Sequence, residues 1–172
     1  LAVDRGLYER SQLPAPLDVV AALTELHARE ALVPNVLASV QRVGVGFAWG
    51  AAIAIALGLL VGLSRTADAL VSPTVGALRA VPSLAWVPLL ILWLGIDEGP
   101  KLTLIAIGAF FPIYTSLVAG IRGIDRKLVE VGRAYGLRGF SLARGVFLPA
   151  AAPSLLTGLR LGLAQAWLFL VA

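Results

Sequence analysis

VGVGFAWGAAIAIALGLLVGL, running from Val43 to Leu63, contains no charged residue. In helical form, at about 1.5 Å per residue, these residues span roughly 30 Å, the hydrocarbon thickness of a bilayer. The turn SRTAD (Ser64 to Asp68) closes the run, and beyond it lie further apolar stretches. The stretch 69–96 is broken by Arg79, Pro82 and Pro88, so it predicts a span with a broken or kinked first part. DEGPK (Asp97 to Lys101) separates it from an uncharged run over 102–121, and a last run over 150–172 holds one charge, Arg160. No stretch alternates apolar and polar residues over the length that a lipid-facing barrel strand needs, so all four spans are expected to be helices.

Composition agrees with that reading. Hydrophobic residues make up 59% of the chain and charged residues 14%, with mean hydropathy +0.89. A soluble domain carries about a quarter charged residues and has no core large enough for so much apolar surface. There is no Cys, which excludes a disulfide framework and Cys-based metal sites. The net charge of +4 raises nucleic acid as a partner for a soluble protein, but in a membrane protein it reflects basic cytoplasmic loops, and no nucleic-acid partner is expected. The chain has no Met, begins at Leu1 and stops inside an apolar run, so it is read as a piece of a longer protein carrying one transmembrane domain over 1–172.

Loop charges set the expected orientation. The segment 122–149 holds six basic residues against Asp125 and Glu130, and is expected to be cytoplasmic. Alternation then places DEGPK and residues 1–34 outside and SRTAD inside. Within 1–34, Leu17, Val20, Leu23 and Leu26 or His27 share a helical face, which predicts a short amphipathic helix on a membrane surface. His27, the one histidine, sits among Glu25, Arg29 and Glu30 and is read as a solvated surface residue. Gly58 with Gly62, and Gly158 with Gly162, are small-xxx-small pairs suited to close helix approach.

The cytoplasmic segment reads DRKLVEVGRAYGLRGFSLARGVFLPAAAP from Asp125, two short helices either side of a Gly136 to Gly139 turn. Leu128, Val131 and Tyr135 share one face of the first helix. This segment resembles the cytoplasmic signature of ABC importer permeases: Glu-Ala-Ala, a Gly six residues after the Glu, an aliphatic residue ten further on, and Leu-Pro after one more position. Glu130, Gly136, Val146, Leu148 and Pro149 stand in that register, with Val131 and Gly132 where the signature has two alanines. SVQRVGVGF (Ser39 to Phe47), LRAVPSLAWVPLLILWLGI (Leu78 to Ile96) and FFPIY (Phe110 to Tyr114) are similar to the nitrate, sulfonate and taurine branch, over nearly the whole chain.

The resemblance implies a polytopic helix bundle of the type I importer permease fold, in a bacterial cytoplasmic membrane. It also implies that Glu130, Val131, Gly132, Gly136, Val146, Leu148 and Pro149 belong to a coupling element that docks on a cytoplasmic ATPase. Glu130 is expected either to pair with a basic residue of that ATPase or to brace Arg133 or Lys127. The other implied partners are an external solute-binding protein and a second permease copy as a homodimer, in contact with membrane lipid. ATP would be held by the ATPase, since the chain has no P-loop GxxxxGK[ST]; the lack of HExxH and of GxSxG argues against an enzyme. Pro82 and Pro88 either line a path with freed carbonyls or mark kinks held by packing. Arg160, deep in its span, either faces the pathway or braces helices. An ion-coupled secondary transporter is the alternative, but such carriers usually hold Asp, Glu or His within their spans, and here all ten acids and the histidine fall outside them.

Overall fold

The computed structural model describes residues 17, 20–22, 24–25, 32–82 and 85–171. Two units divide the chain, Leu1–Gln41 and Arg42–Ala172. In the first, the described residues are helical, Leu17 and Val20 are exposed, and the Thr24 hydroxyl donates to the Ala21 carbonyl at 2.8 Å. Leu23, Leu26 and His27, which the amphipathic reading also used, lie outside the described residues.

Every described element is helical. In chain order they are α1 (Leu32–Leu63), α2 (Arg65–Ala80), α3 (Trp86–Leu94), α4 (Glu98–Arg122), α5 (Arg126–Ala134) and α6 (Gly139–Leu170). Three of them, α1, α4 and α6, are long and apolar enough to cross a bilayer.

α4 is the enclosed helix, with Ile105, Ala109 and Ile113 each 0% exposed. α1 packs on one side of it through small residues at every fourth position, Gly46, Gly50, Ala54, Gly58 and Gly62. A Cβ at Gly46 would lie 2.7 Å from the Ile105 side chain, one at Gly58 2.9 Å from Leu117, and one at Gly62 2.6 Å from Ile121. At Gly50 the obstacle would be the Ala106 carbonyl, which is backbone and has nowhere to go. The residue numbers rise together along both helices, so α1 and α4 run parallel. Within hydrocarbon, where apolar burial does not drive helices together, this close approach supplies the dispersion contacts that hold the pair. The Gly58–Gly62 pair is therefore the last part of a longer ladder.

α6 lies antiparallel on another side of α4. A Cβ at Gly158 would meet Ser116 Cβ at 2.9 Å and Ile113 Cα at 3.0 Å, and one at Gly162 would meet the Ala109 carbonyl at 3.0 Å. Ala151 and Ala166, on the same face, are buried.

The stretch 69–96 returns along α4 as two short helices, neither long enough to cross alone. Ser64 caps α2, its hydroxyl accepting from the Ala67 N–H at 3.3 Å. α2 ends where Pro82 requires it: Val81, just before the proline, takes ψ 123°, the extended setting that a following proline favours. The break thus begins at Val81. Leu94, at the end of α3, lies against Gly99 at the start of α4.

An ion pair stands at each end of α4. Arg42 grips Glu98 through Nε at 2.6 Å and Nη2 at 2.9 Å, so this arginine pairs instead of snorkelling. At the other end Arg122 bonds Asp68, which also accepts from the Ser72 hydroxyl. These two contacts hold the Asp68 carboxyl below its ordinary value of 3.8, Ser72 contributing most.

Candidate functional site

The basic segment after α4 begins with Asp125, whose carboxylate accepts from the Lys127 N–H at 2.9 Å and caps α5. α5 closes in a Schellman turn. The Leu137 N–H reaches the Gly132 carbonyl at 3.0 Å, the Gly136 N–H reaches the Arg133 carbonyl at 2.9 Å, and Gly136 has φ +80°. Any side chain at Gly136 would be strained in that left-handed setting, which explains glycine there.

The turn folds α5 back on the start of α6. Gly132 is the buried residue of α5: a Cβ there would lie 2.7 Å from Val146 Cγ2 and 2.9 Å from Leu142 Cδ1. Two positions of the signature register, Gly132 and Val146, are therefore in contact, the small residue making room for the aliphatic one. The apolar residues at i, i+3 and i+7 flank Gly132 on one side of the helix and are nonetheless exposed. Leu128 is 52% exposed, Val131 54% and Tyr135 84%, and Phe140 at the start of α6 is 80% exposed. A lone amphipathic helix on a larger body would bury that face; here the face is open. Phe140 was not singled out from sequence, although an aromatic beside the Gly136 to Gly139 turn is the signal that would have found it.

Glu130 is exposed and makes no ion pair or side-chain hydrogen bond among the described residues, so the expected brace to Arg133 or Lys127 is not formed. Leu148 and Pro149 are not at a helix start. α6 runs unbroken from Gly139 to Leu170, through a π-helical turn at Ala143–Phe147 in which the Leu148 N–H reaches back to the Ala143 carbonyl. The wide turn accommodates Pro149, whose ring would otherwise crowd the carbonyl four residues earlier. The boundary expected at residue 150 is accordingly absent, and one continuous helix joins the basic segment to the last apolar run.

A cavity of about 510 Å³ opens between the end of α2, the break after it, α4 and α6. Pro82 lines it. Pro88 and Arg160 do not: Pro88 sits in the first turn of α3, where no backbone N–H is needed, and Arg160 is exposed on α6 away from the Gly158–Gly162 face. The charged side chain in the wall is Arg79. The rule that drew attention to Arg160, a single charge in a long apolar stretch, applied equally to Arg79 within 69–96.

Parallel and antiparallel helices packed by small residues, a broken return helix and a basic element with an open apolar face define a multi-pass helical membrane protein. Comparison with known proteins supplies the family: residues 46–172 match the model of the binding-protein-dependent transport system inner membrane component, and the chain belongs to that family, whose members are transport permease subunits and not enzymes. It is 44% identical over 171 residues to a protein of Escherichia coli (strain K12) named as an aliphatic sulfonates transport permease, aligning 99% of the chain and 65% of the relative. A protein of the same description from Bacillus subtilis (strain 168) is 42% identical over 166 residues, 96% of the chain and 60% of the relative. The nitrate import permease protein of Synechocystis sp. (strain ATCC 27184 / PCC 6803 / Kazusa) is 32% identical over 173 residues, 95% of the chain and 63% of the relative. The chain thus spans less than two thirds of the length of these relatives.

Proposed function

We propose that this chain is the membrane-spanning part of the permease subunit of an ATP-driven ABC importer. In this reading an external binding protein delivers a small oxyanion, such as a sulfonate, taurine or nitrate, and cytoplasmic ATPase subunits drive its passage. ATP binds to those subunits and no cofactor binds to this chain. A second permease copy completes the complex as a homodimer.

The observation that carries the proposal is the open apolar face of Leu128, Val131, Tyr135 and Phe140 on a basic element whose inner face is locked to α6 by Gly132 and Val146. Motion of a partner seated on that face passes into a helix that continues without interruption to Leu170. Glu130, unpaired beside the face, is positioned for a basic residue of the partner. The names of the relatives support the same reading.

An ion-coupled carrier gains nothing from the structure. Asp68 and Glu98 are tied to arginines at the two ends of α4, so no free carboxylate is placed along that helix as a relay.

The test is co-purification of the full-length permease with its ATPase, together with uptake in proteoliposomes. Glu130→Lys is expected to lower ATPase recovery with no change in the melting temperature of the permease. Uptake that follows a proton or sodium gradient and ignores ATP would overturn the proposal.

A further inference from the structure

Among the described residues, Arg79 differs from the paired basic residues of the bundle, and from the unpaired Arg65 and Arg160 in lining a cavity. Arg42 and Lys101 both meet Glu98, and Arg122 meets Asp68. Arg79 makes no ion pair or hydrogen bond among the described residues, and it lines two cavities: the 510 Å³ one and a second of about 270 Å³ between α2 and α4. Among the described residues, no carboxylate lines either. The hydroxyls nearby are largely committed, since Thr115 donates to the Phe111 carbonyl at 2.9 Å and Ser72 donates to Asp68. The guanidinium of Arg79 is therefore the strong donor left free at the junction.

The larger cavity has a second property. Trp86, Phe111, Leu161 and Phe169 supply apolar wall, and Thr115, Ser116 and Gln165 supply neutral polar groups beside Arg79. Its volume is in the range of small-molecule sites, about 300–1,000 Å³. A compact inorganic anion on Arg79 would leave that wall uncovered. A zwitterion would bring an ammonium group to a wall holding a cation and no carboxylate, where the local field repels it.

We propose that Arg79, exposed on the open side of this cavity, is the head-group site through which the permease selects a monoanion with a short hydrocarbon body, the oxyanion on the guanidinium and the carbon chain against Phe111, Leu161 and Phe169. The permease then adds discrimination of its own to that of an external binding protein. This inference rests on the importer reading for its place in transport. The same head-group chemistry is offered by an anionic lipid, and the experiment separates the two.

The full-length permease, in phosphatidylcholine nanodiscs, is titrated calorimetrically with butanesulfonate, taurine and nitrate. Butanesulfonate is expected to bind saturably, with taurine and nitrate at least about tenfold weaker. Arg79→Gln should weaken butanesulfonate about tenfold or more, Arg79→Lys less, and Arg65→Gln, an exposed arginine away from both cavities, not at all. Equal binding of the three anions, or wild-type affinity in Arg79→Gln, overturns the proposal. If Arg79→Gln does not fold, Phe111→Ala decides: it should weaken hexanesulfonate more than methanesulfonate, and equal weakening overturns the proposal. Replacing part of the phosphatidylcholine with phosphatidylglycerol should leave butanesulfonate affinity unchanged; Arg79-dependent competition by that lipid assigns the site to a headgroup and overturns it too. ATPase recovery is measured on the same preparations. Indifference to sulfonate with the ATPase retained removes the cavity proposal alone, whereas absence of the ATPase removes the importer reading whatever the isotherms show.

Discussion

The α1–α4 contact and the α5–α6 contact are made by the same device and left in opposite conditions. In both, a glycine accepts a branched aliphatic side chain: Gly46 takes Ile105 and Gly62 takes Ile121 in the bundle, and Gly132 takes Val146 in the basic element. In the bundle the large side chains beside the seam are buried as well, Leu117 and Ile121 among them. In the basic element they are turned outward, from Leu128 to Phe140. The first contact is covered on its α4 side; the second leaves its large residues open, as the proposed docking of a partner requires. Glycine seats therefore say where two helices meet, and only the disposition of the neighbouring large residues says whether a further surface is still to be covered.

That contrast predicts a graded series of effects. The largest belongs to Gly50→Val, which drives a branched side chain into the Ala106 carbonyl. It should destabilise the permease by about 1–3 kcal/mol or prevent its accumulation, whereas Gly44→Val, with open space around it, should change little. Thermal unfolding of the two purified variants compares them directly, and equal melting points would mean that the ladder is not a tight seam. Next comes Val131→Asp combined with Tyr135→Ala, expected to reduce ATPase affinity about tenfold or more with the melting temperature unchanged. A fall in melting temperature instead would show that the open face is a misplaced core.

Gly132→Ala should do a little of both. It pushes α5 off Val146 at a cost of about 1 kcal/mol and weakens ATPase binding a few-fold. The smallest effect concerns pH. Because Ser72 and Arg122 hold the Asp68 carboxyl below 3.8, the folded protein takes up this proton less readily than the unfolded chain. The contribution of Asp68 is therefore complete above 3.8 and is lost as pH falls through the lower folded value. Asp68→Asn should flatten the acid limb of the stability profile in that window and leave neutral pH nearly unaffected. An unchanged acid limb would show that the pair does not form.

Much of the bundle is legible in one dimension, because a long uncharged run has only one use. Val43–Leu63 and 102–121 both fall inside long apolar helices. Gly58 with Gly62 and Gly158 with Gly162 lie where helices meet, but Gly46 and Gly50 escaped notice, since glycine is common in such runs and only the partner helix shows which ones are pressed. The register from Glu130 to Pro149 could be read by eye, while its geometry could not: Pro149 looks like a helix start, and nothing local announces that a π turn carries the helix past it. Arg79 and Arg160 are equivalent in sequence, each a single charge in an apolar stretch. Which of them faces a cavity depends on α4, whose residues come later than one and earlier than the other.

The π turn at Ala143–Phe147 also fixes the angular phase of everything downstream of it. One residue more or fewer in a helix rotates the following side chains by about 100°. The wide turn absorbs that rotation, because its five residues turn through nearly the same angle as four residues of regular α-helix, so Ala151, Gly158, Gly162 and Ala166 keep the phase that fits their neighbour although the chain carries one residue more. A local irregularity of five residues is thus what keeps the basic end and the membrane end of one rod correctly aimed at the same time.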